Sequence, residues 1–69
     1  MINNIKIEIR NHLNQEVQVV TKENRNKSEV FYGNIIETYS HVFLVSNGTE
    51  KKSYSYSDIL SKDINITFL

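Results

Sequence analysis

The chain contains no cysteine, proline, tryptophan or alanine, and it has only two glycines. Without cysteine no disulfide can cross-link the fold, and a thiolate zinc site is excluded. The two histidines, His12 and His41, lie far apart and have no metal-ligand spacing around them, so we expect no metal and no cofactor. Stability must therefore come from packed aliphatic and aromatic side chains, although a chain of 69 residues buries only a modest core.

Net charge is also absent, because eight basic side chains balance eight acidic ones. This balance argues against a protein that depends on long-range attraction to nucleic acid or to an anionic membrane, although local basic patches remain compatible with it. No apolar run approaches the roughly 18 residues of a membrane span. The N-terminal residues also lack the pattern of a signal peptide. We therefore expect one cytoplasmic domain over residues 1–69, without membrane contact.

The first segment is compatible with two periodicities. The isoleucines at positions 5, 7 and 9 alternate as in a strand, whereas a second apolar set recurs at helical spacing. The members of that set are Ile2, Ile5, Ile9 and Leu13. They form one stripe with only Ile7 on the far side, which predicts a short helix over residues 3–11. Asn3 or Asn4 suits its N-cap, and Asn11 tolerates the left-handed conformation that ends helices.

From residue 16 the apolar period changes to two. Residues 16–22 form a predicted strand with Val17 and Val19 on one face, and a polar loop follows it. Residues 28–38 form a long β-prone run that Gly33 interrupts. A glycine inside a strand usually marks a bulge or a sharp bend, so we predict one at Gly33.

The second half of the chain predicts a tight hairpin. Residues 41–46 form an apolar strand for which we expect burial on both faces, and residues 50–57 form its partner. Asn47 and Gly48 between them favour a type I′ turn. In the partner strand the alternation places both tyrosines of the Ser-Tyr-Ser-Tyr segment on one face.

The chain then predicts one helical turn and a last strand. Ser57 precedes Asp58 and an aliphatic pair, which is typical of a helix cap. Residues 63–68 alternate, with Ile64, Ile66 and Phe68 expected to face inward. This order of elements predicts an all-β fold with one N-terminal helix, namely a five-stranded SH3-like or Sm-like small barrel over about residues 16–68. The alternative is an open meander with the helix on one face.

Three segments of the sequence resemble the Veg family, small proteins of Gram-positive bacteria associated with stimulation of biofilm formation. They are GNIIETYSHVF at residues 33–43, SYSYSDIL at 53–60 and INITF at 64–68. Aliphatic positions from Ile2 to Val19 extend the likeness toward the N-terminus. The chain differs in having Ser40 where the family usually has proline, and in a first hairpin loop with less glycine and arginine. The resemblance implies an SH3-like barrel and a regulatory role, and it brings no catalytic residues.

Few side chains are arranged as catalytic residues would be. A barrel this small fills its interior with side chains, so we expect no catalytic cleft, no enzyme activity and no small-molecule substrate. Ser57 beside Asp58 fits a helix cap better than a catalytic dyad. Glu37 is expected to accept a hydrogen bond that holds the turn after the second strand. His41 is expected to be an ordinary exposed histidine.

The remaining candidates concern binding to a macromolecule. They are Lys22, Arg25, Lys27, Lys51 and Lys52, together with Tyr39 and Tyr54. The cations can grip phosphates, or they can simply keep a loop soluble and protect a strand edge. We expect Tyr56 in the core or at its rim and Tyr39 on a half-exposed surface.

Two functions follow from these candidates. The first is a small regulatory or adaptor module that binds a protein partner or associates with itself. The second is binding to RNA, DNA or a ribonucleoprotein through the basic loop. Charge neutrality favours the first.

Overall fold

The computed structural model describes residues 2–24 and 27–69, so Arg25 of the predicted basic loop lies outside the described residues. The elements are α1 (Ile2–Asn11), β1 (Glu16–Asn24), β2 (Lys27–Thr38), β3 (Val42–Ser46), β4 (Lys51–Ser55), α2 (Tyr56–Leu60) and β5 (Ile64–Phe68). The predicted helix, five strands and single helical turn are confirmed in type and order.

The five strands form one antiparallel sheet in the order β4-β3-β2-β1-β5. The long strand β2 pairs with β1 as far as Asn34 and with β3 from Asn34 onward. The sheet is strongly curled. This follows from the ion pair between Lys52 of β4 and Glu29 of β2, which are separated by β3 in this order. The helix α2 connects β4 and β5, the two ends of the order. The all-β, small-barrel prediction is therefore confirmed.

Gly33 lies where the end of β3 comes close to β2. A Cβ atom on Gly33 would lie 2.7 Å from the carbonyl oxygen of Ser46 and 2.9 Å from a methyl group of Val45. The bulge is located elsewhere, because the β2–β3 register shifts between Ile35 and Glu37. The prediction of a bulge at Gly33 is therefore wrong in position, and the glycine is required by the close approach of two strands.

The β3–β4 hairpin is confirmed, but the predicted type I′ turn is wrong. A type I′ turn needs positive φ at both central residues, and only Gly48 has it, at 94°. The loop has four residues between Ser46 and Lys51. The side-chain oxygen of Asn47 accepts hydrogen bonds from the backbone N–H groups of Thr49 (2.9 Å) and Glu50 (2.7 Å). These two hydrogen bonds from the backbone to the Asn47 side chain close the turn without a type I′ geometry.

The predicted end of α1 at residue 11 is confirmed, but its start and the residues predicted to cap it need correction. The helix begins at Ile2, so Asn3 and Asn4 lie within its first turn instead of capping it. The left-handed residue after the helix is Asn14, with φ of 68°, and not Asn11. The N–H of Asn14 donates to the carbonyl of Ile35 at 2.7 Å, which ties the turn to β2.

The N-cap of α2 is Ser55 and not Ser57 as predicted. The hydroxyl of Ser55 accepts a hydrogen bond from the N–H of Ser57 at 3.2 Å. At the other end Lys62 has φ of 68°, and the N–H of Asp63 donates to the carbonyl of Asp58 at 2.9 Å. This pairing is typical of a Schellman C-cap.

The core lies between the concave side of the sheet and the two helices. It consists of Ile9, Val17, Val19, Phe31, Ile35, Phe43, Val45, Tyr54, Tyr56 and Ile64. Ile9 is 1% exposed, so α1 packs on the sheet, and burial of a side chain of this size contributes about 1.5–3 kcal/mol. Ile7 points to solvent, as predicted, but Leu13 is also exposed because it lies in the turn after the helix.

The other side-chain expectations for the strands are mostly met. Ile64 is buried, and Ile66 and Phe68 are partly buried against the core. In β3, Phe43 and Val45 are buried, whereas the residues facing the other way are only half-buried, so the prediction of burial on both faces is wrong. No helix in the part of the chain that the structure describes is long and apolar enough to cross a membrane.

Candidate functional site

The structure places the predicted basic residues in unequal environments. Lys22 near the end of β1 and Lys27 at the start of β2 are both exposed at the β1–β2 hairpin, where Lys22 pairs with Ser28. Lys51 is exposed at the start of β4. These three side chains are exposed to solvent, whereas Lys52 is half-buried.

Lys52 is held by two neighbours. Its ammonium group forms an ion pair and hydrogen bond with the carboxylate of Glu29, and it lies 5.0 Å from the ring centroid of Phe31. The hydrogen bond to Glu29 raises the pKa of Lys52 above its usual value. A phosphate at this position would have to displace Glu29, so Lys52 contributes little to a basic patch.

The two predicted site tyrosines lie in different places. Tyr54 is only 9% exposed, with its ring 5.8 Å from that of Phe43, and burial raises its pKa. Its ring therefore faces the core and offers little surface to a ligand. Tyr39 follows the opposite end of β2 from Lys27 and is 50% exposed. The structure thus does not bring Tyr39 together with the lysines of the hairpin.

The turn after β2 is closed by Tyr39. Its N–H donates to the carbonyl of Val42 at 2.8 Å, and its hydroxyl donates to the carboxylate of Glu37. The predicted role of Glu37 as an acceptor that holds this turn is confirmed. His41 is exposed, as expected.

This turn and α1 form an open cleft of about 520 Å³, here called the helix–turn cleft. Its lining residues are Lys6, Arg10, Thr38, Tyr39, Ser40, His41 and Val42. Lys6 and Arg10 lie one helical turn apart on α1, and no acidic residue of the described chain lines the cleft. Sequence reasoning did not find Lys6 and Arg10. The available signal was their spacing of four residues beside the apolar stripe.

A second surface lies on the convex side of the sheet. Val20 on β1 is directly opposite Val30 on β2, and the next pair on the same face is Gln18 with Tyr32. Val30 is 47% exposed and Tyr32 is 54% exposed, and the side-chain amide of Gln18 donates to the hydroxyl of Tyr32 at 3.2 Å. We call Val20, Val30 and Tyr32 the outer valine patch.

Polar residues surround the outer valine patch. Asn65 and Thr67 of β5 pair with Val20 and Gln18, and Ser28 pairs with Lys22 next to Val30. Neither valine was a candidate from the sequence. The alternation of residues 17–20 and 28–32 gave the signal, because it places an apolar side chain on the polar face of each strand.

The residues that the structure describes include no group of three or more histidine, aspartate and glutamate side chains arranged to hold a metal ion. The two surfaces described above can therefore bind a ligand through apolar contact and through charge. The cleft offers cations beside a tyrosine ring, and the sheet offers an apolar patch with a polar rim.

Comparison with known proteins identifies a family. A search of curated proteins finds none similar to this chain. The model of the family described as "Biofilm formation stimulator VEG" matches residues 1–67 of the 69. The match includes β1 to β4, both helices and the first two segments that carry the resemblance, and it ends one residue before the end of β5 and of the third segment, at Phe68. The chain therefore belongs to the Veg family of biofilm formation stimulators.

Proposed function

We propose that this protein is a non-enzymatic, cytoplasmic regulatory module that binds a protein partner through the outer valine patch. The observation that carries this proposal is the Val20–Val30–Tyr32 surface on the regular, hydrogen-bonded part of the sheet, in which Val30 and Tyr32 are exposed and Val20 is half-buried. A role as a stimulator, which the family description gives, fits a protein that acts by contact with another macromolecule.

The composition of the patch favours a protein over a nucleic acid. Protein interfaces combine a central group of apolar and aromatic side chains with a polar rim, and tyrosine is among the residues that contribute most binding energy. Here the centre is two valines and a tyrosine, and the rim consists mainly of amides and hydroxyls. Strand pairing on both sides holds β1 rigid, which lowers the entropy lost on binding.

Binding to nucleic acid is the second candidate. Lys22 and Lys27 are exposed at the β1–β2 hairpin, and Lys22 lies on the same face as Val20 by strand alternation. The engagement of Lys52 by Glu29 and the zero net charge reduce the support for it.

A photo-crosslinking amino acid at position 32 tests both functions in living cells. We expect a protein adduct that survives nuclease treatment, or an adduct of twice the mass of the chain if the partner is a second copy. The substitution Val30→Lys places a charge in the centre of the patch and is expected to lower the yield at least about tenfold. The same probe at position 49, an exposed residue of the β3–β4 loop, is the matched control.

Two results would contradict the proposal. One is an adduct at position 32 that nuclease removes, which would support the nucleic-acid function. The other is an equal yield from positions 32 and 49, or an equal yield from position 32 with and without the Val30→Lys substitution. Circular dichroism of each variant verifies that the sheet is intact.

A further inference from the structure

We propose that the helix–turn cleft binds a small phosphate ester of about the size of a nucleoside monophosphate. The cleft lies between α1 and the β2–β3 turn, and its residues are not those of the outer valine patch. This inference is therefore independent of the proposed protein partner.

The charge of the cleft favours an anion. Within residues 2–24 and 27–69 neither Lys6 nor Arg10 forms an ion pair, and the cleft has no acidic lining. Glu37, the carboxylate beside Tyr39, is engaged by the tyrosine hydroxyl. Two unneutralised cations match the charge of about −1.5 to −2 that a phosphate monoester carries at neutral pH.

The types of residue favour phosphate among the anions. Arginine presents a planar fork that pairs with two phosphate oxygens, and lysine adds a compact charge. Thr38 and Ser40 add hydroxyl-bearing side chains on the opposite wall. An acidic peptide would require an extended groove, whereas this cleft is local.

The size and apolar lining of the cleft indicate what the phosphate is attached to. A volume of about 520 Å³ lies within the roughly 300–1,000 Å³ of small-molecule sites. The half-exposed ring of Tyr39 and the half-buried Val42 provide contact for a planar or apolar group. Aromatic rings of this kind stack on nucleobases.

The cations are positioned before any ligand arrives. Ile9 is buried in the core, so α1 is fixed against the sheet, and the Lys6 ammonium lies 6.0 Å from the ring centroid of Tyr56. The N–H of Tyr56 in turn donates to the carbonyl of His41 at 3.2 Å, which links the turn to α2. A prepared site loses less conformational entropy on binding.

The test is a titration of the full chain with adenosine 5′-monophosphate, followed by amide NMR at low ionic strength. We expect shifts at Lys6, Arg10 and residues 38–42, and affinity at least roughly tenfold higher than for adenosine. The double variant Lys6→Gln/Arg10→Gln should weaken binding at least about tenfold. Lys51→Gln, which removes an exposed charge outside the cleft, is the control and should bind as wild type.

Three results would overturn the inference: no shift at the cleft with millimolar ligand, equal affinity for adenosine, or equal affinity in the double variant. The amide spectrum of the double variant also reports its fold. If that spectrum is perturbed, Arg10→Gln alone at the exposed position replaces it, and unchanged binding would again overturn the inference.

Discussion

Gly33 and Gly48 are required for different physical reasons. At Gly33 the constraint is space, since a Cβ would lie 2.7 Å from a backbone oxygen of β3 that cannot rotate away. At Gly48 there is open space, and the constraint is the backbone φ of 94°, which L-residues rarely adopt. The two alanine variants therefore separate a steric cost from a conformational one.

We expect Gly33→Ala to lower the free energy of unfolding by about 2–3 kcal/mol, because β2 and β3 must move apart. Gly48→Ala should cost about 1–2 kcal/mol, the price of a left-handed conformation for a residue with a Cβ. Urea denaturation followed by circular dichroism measures both. A Gly48→Ala variant less stable than Gly33→Ala would contradict this account of the strand contact.

Residue types identified the hairpin and the capped turn but not their detailed geometry. The Asn-Gly pair correctly predicted a reversal after β3, yet the side chain of Asn47 accepts two backbone N–H groups and supports a different turn. In the same way a serine does cap α2, but it is Ser55. The wrong turn type and the wrong N-cap have one cause. A short polar side chain can hydrogen-bond to any of several neighbouring backbone groups, and the surrounding structure determines which group it bonds to.

At the scale of elements, two contacts fix the C-terminal part of α1 to the sheet, one from within the helix and one from just after its end. Ile9 inserts into the core, and the His12 ring stacks on Phe68 of β5 with centroids 3.8 Å apart and planes at 18°. The Nδ1 of His12 also lies 2.8 Å from the carbonyl oxygen of Glu8, which orients the ring.

His12→Ala should therefore loosen the helix more than the sheet. We expect a loss of about 0.5–1.5 kcal/mol, the contribution of an aromatic pair beyond its buried area. Amide hydrogen exchange should become faster in α1 while the central strands keep their protection. Ile7→Ala, on the exposed side of the same helix, is the control and should leave both unchanged. Equal acceleration in helix and strands would show that His12 supports the whole fold.

The type of each element was predictable because it depends on local periodicity. Alternation identified the strands, and the isoleucine stripe identified α1. The docking of α1 was not predictable, since it depends on contacts between Ile9 and strands that are distant in sequence. The helix–turn cleft was missed for this reason, because Lys6 and Arg10 face Tyr39 only after docking. The bulge near Ile36 carries no glycine and so gave no signal.

At the scale of the whole molecule, the fold presents two proposed binding surfaces of opposite character. The outer valine patch lies on the convex face of β1 and β2, and the helix–turn cleft lies beside the far end of β2. A zero net charge is compatible with both, because the cations of the cleft are balanced elsewhere in the chain. A regulatory protein of this size can thus contact a partner on one surface and a small ligand on another.

The two core tyrosines make the whole fold sensitive to alkaline pH. Burial raises the pKa of both Tyr54 and Tyr56, and in Tyr56 the nearby charge of Arg10 only partly opposes it. In the unfolded chain these hydroxyls ionise near pH 10, whereas in the folded protein they keep their protons to higher pH. Between those values the folded state binds more protons, so stability falls as pH rises.

We therefore expect these tyrosines to cause no pH dependence in the free energy of unfolding below about pH 9, where both are protonated in either state, and a progressive decrease above about pH 10. The Lys52–Glu29 pair acts in the same direction, because its hydrogen bond also raises the pKa of Lys52. Urea denaturation at a series of pH values measures the slope. The double variant Tyr54→Phe/Tyr56→Phe should flatten this slope. A double variant as sensitive to alkali as wild type would mean that the two hydroxyls reach water, and the inward packing of β4 would then be wrong.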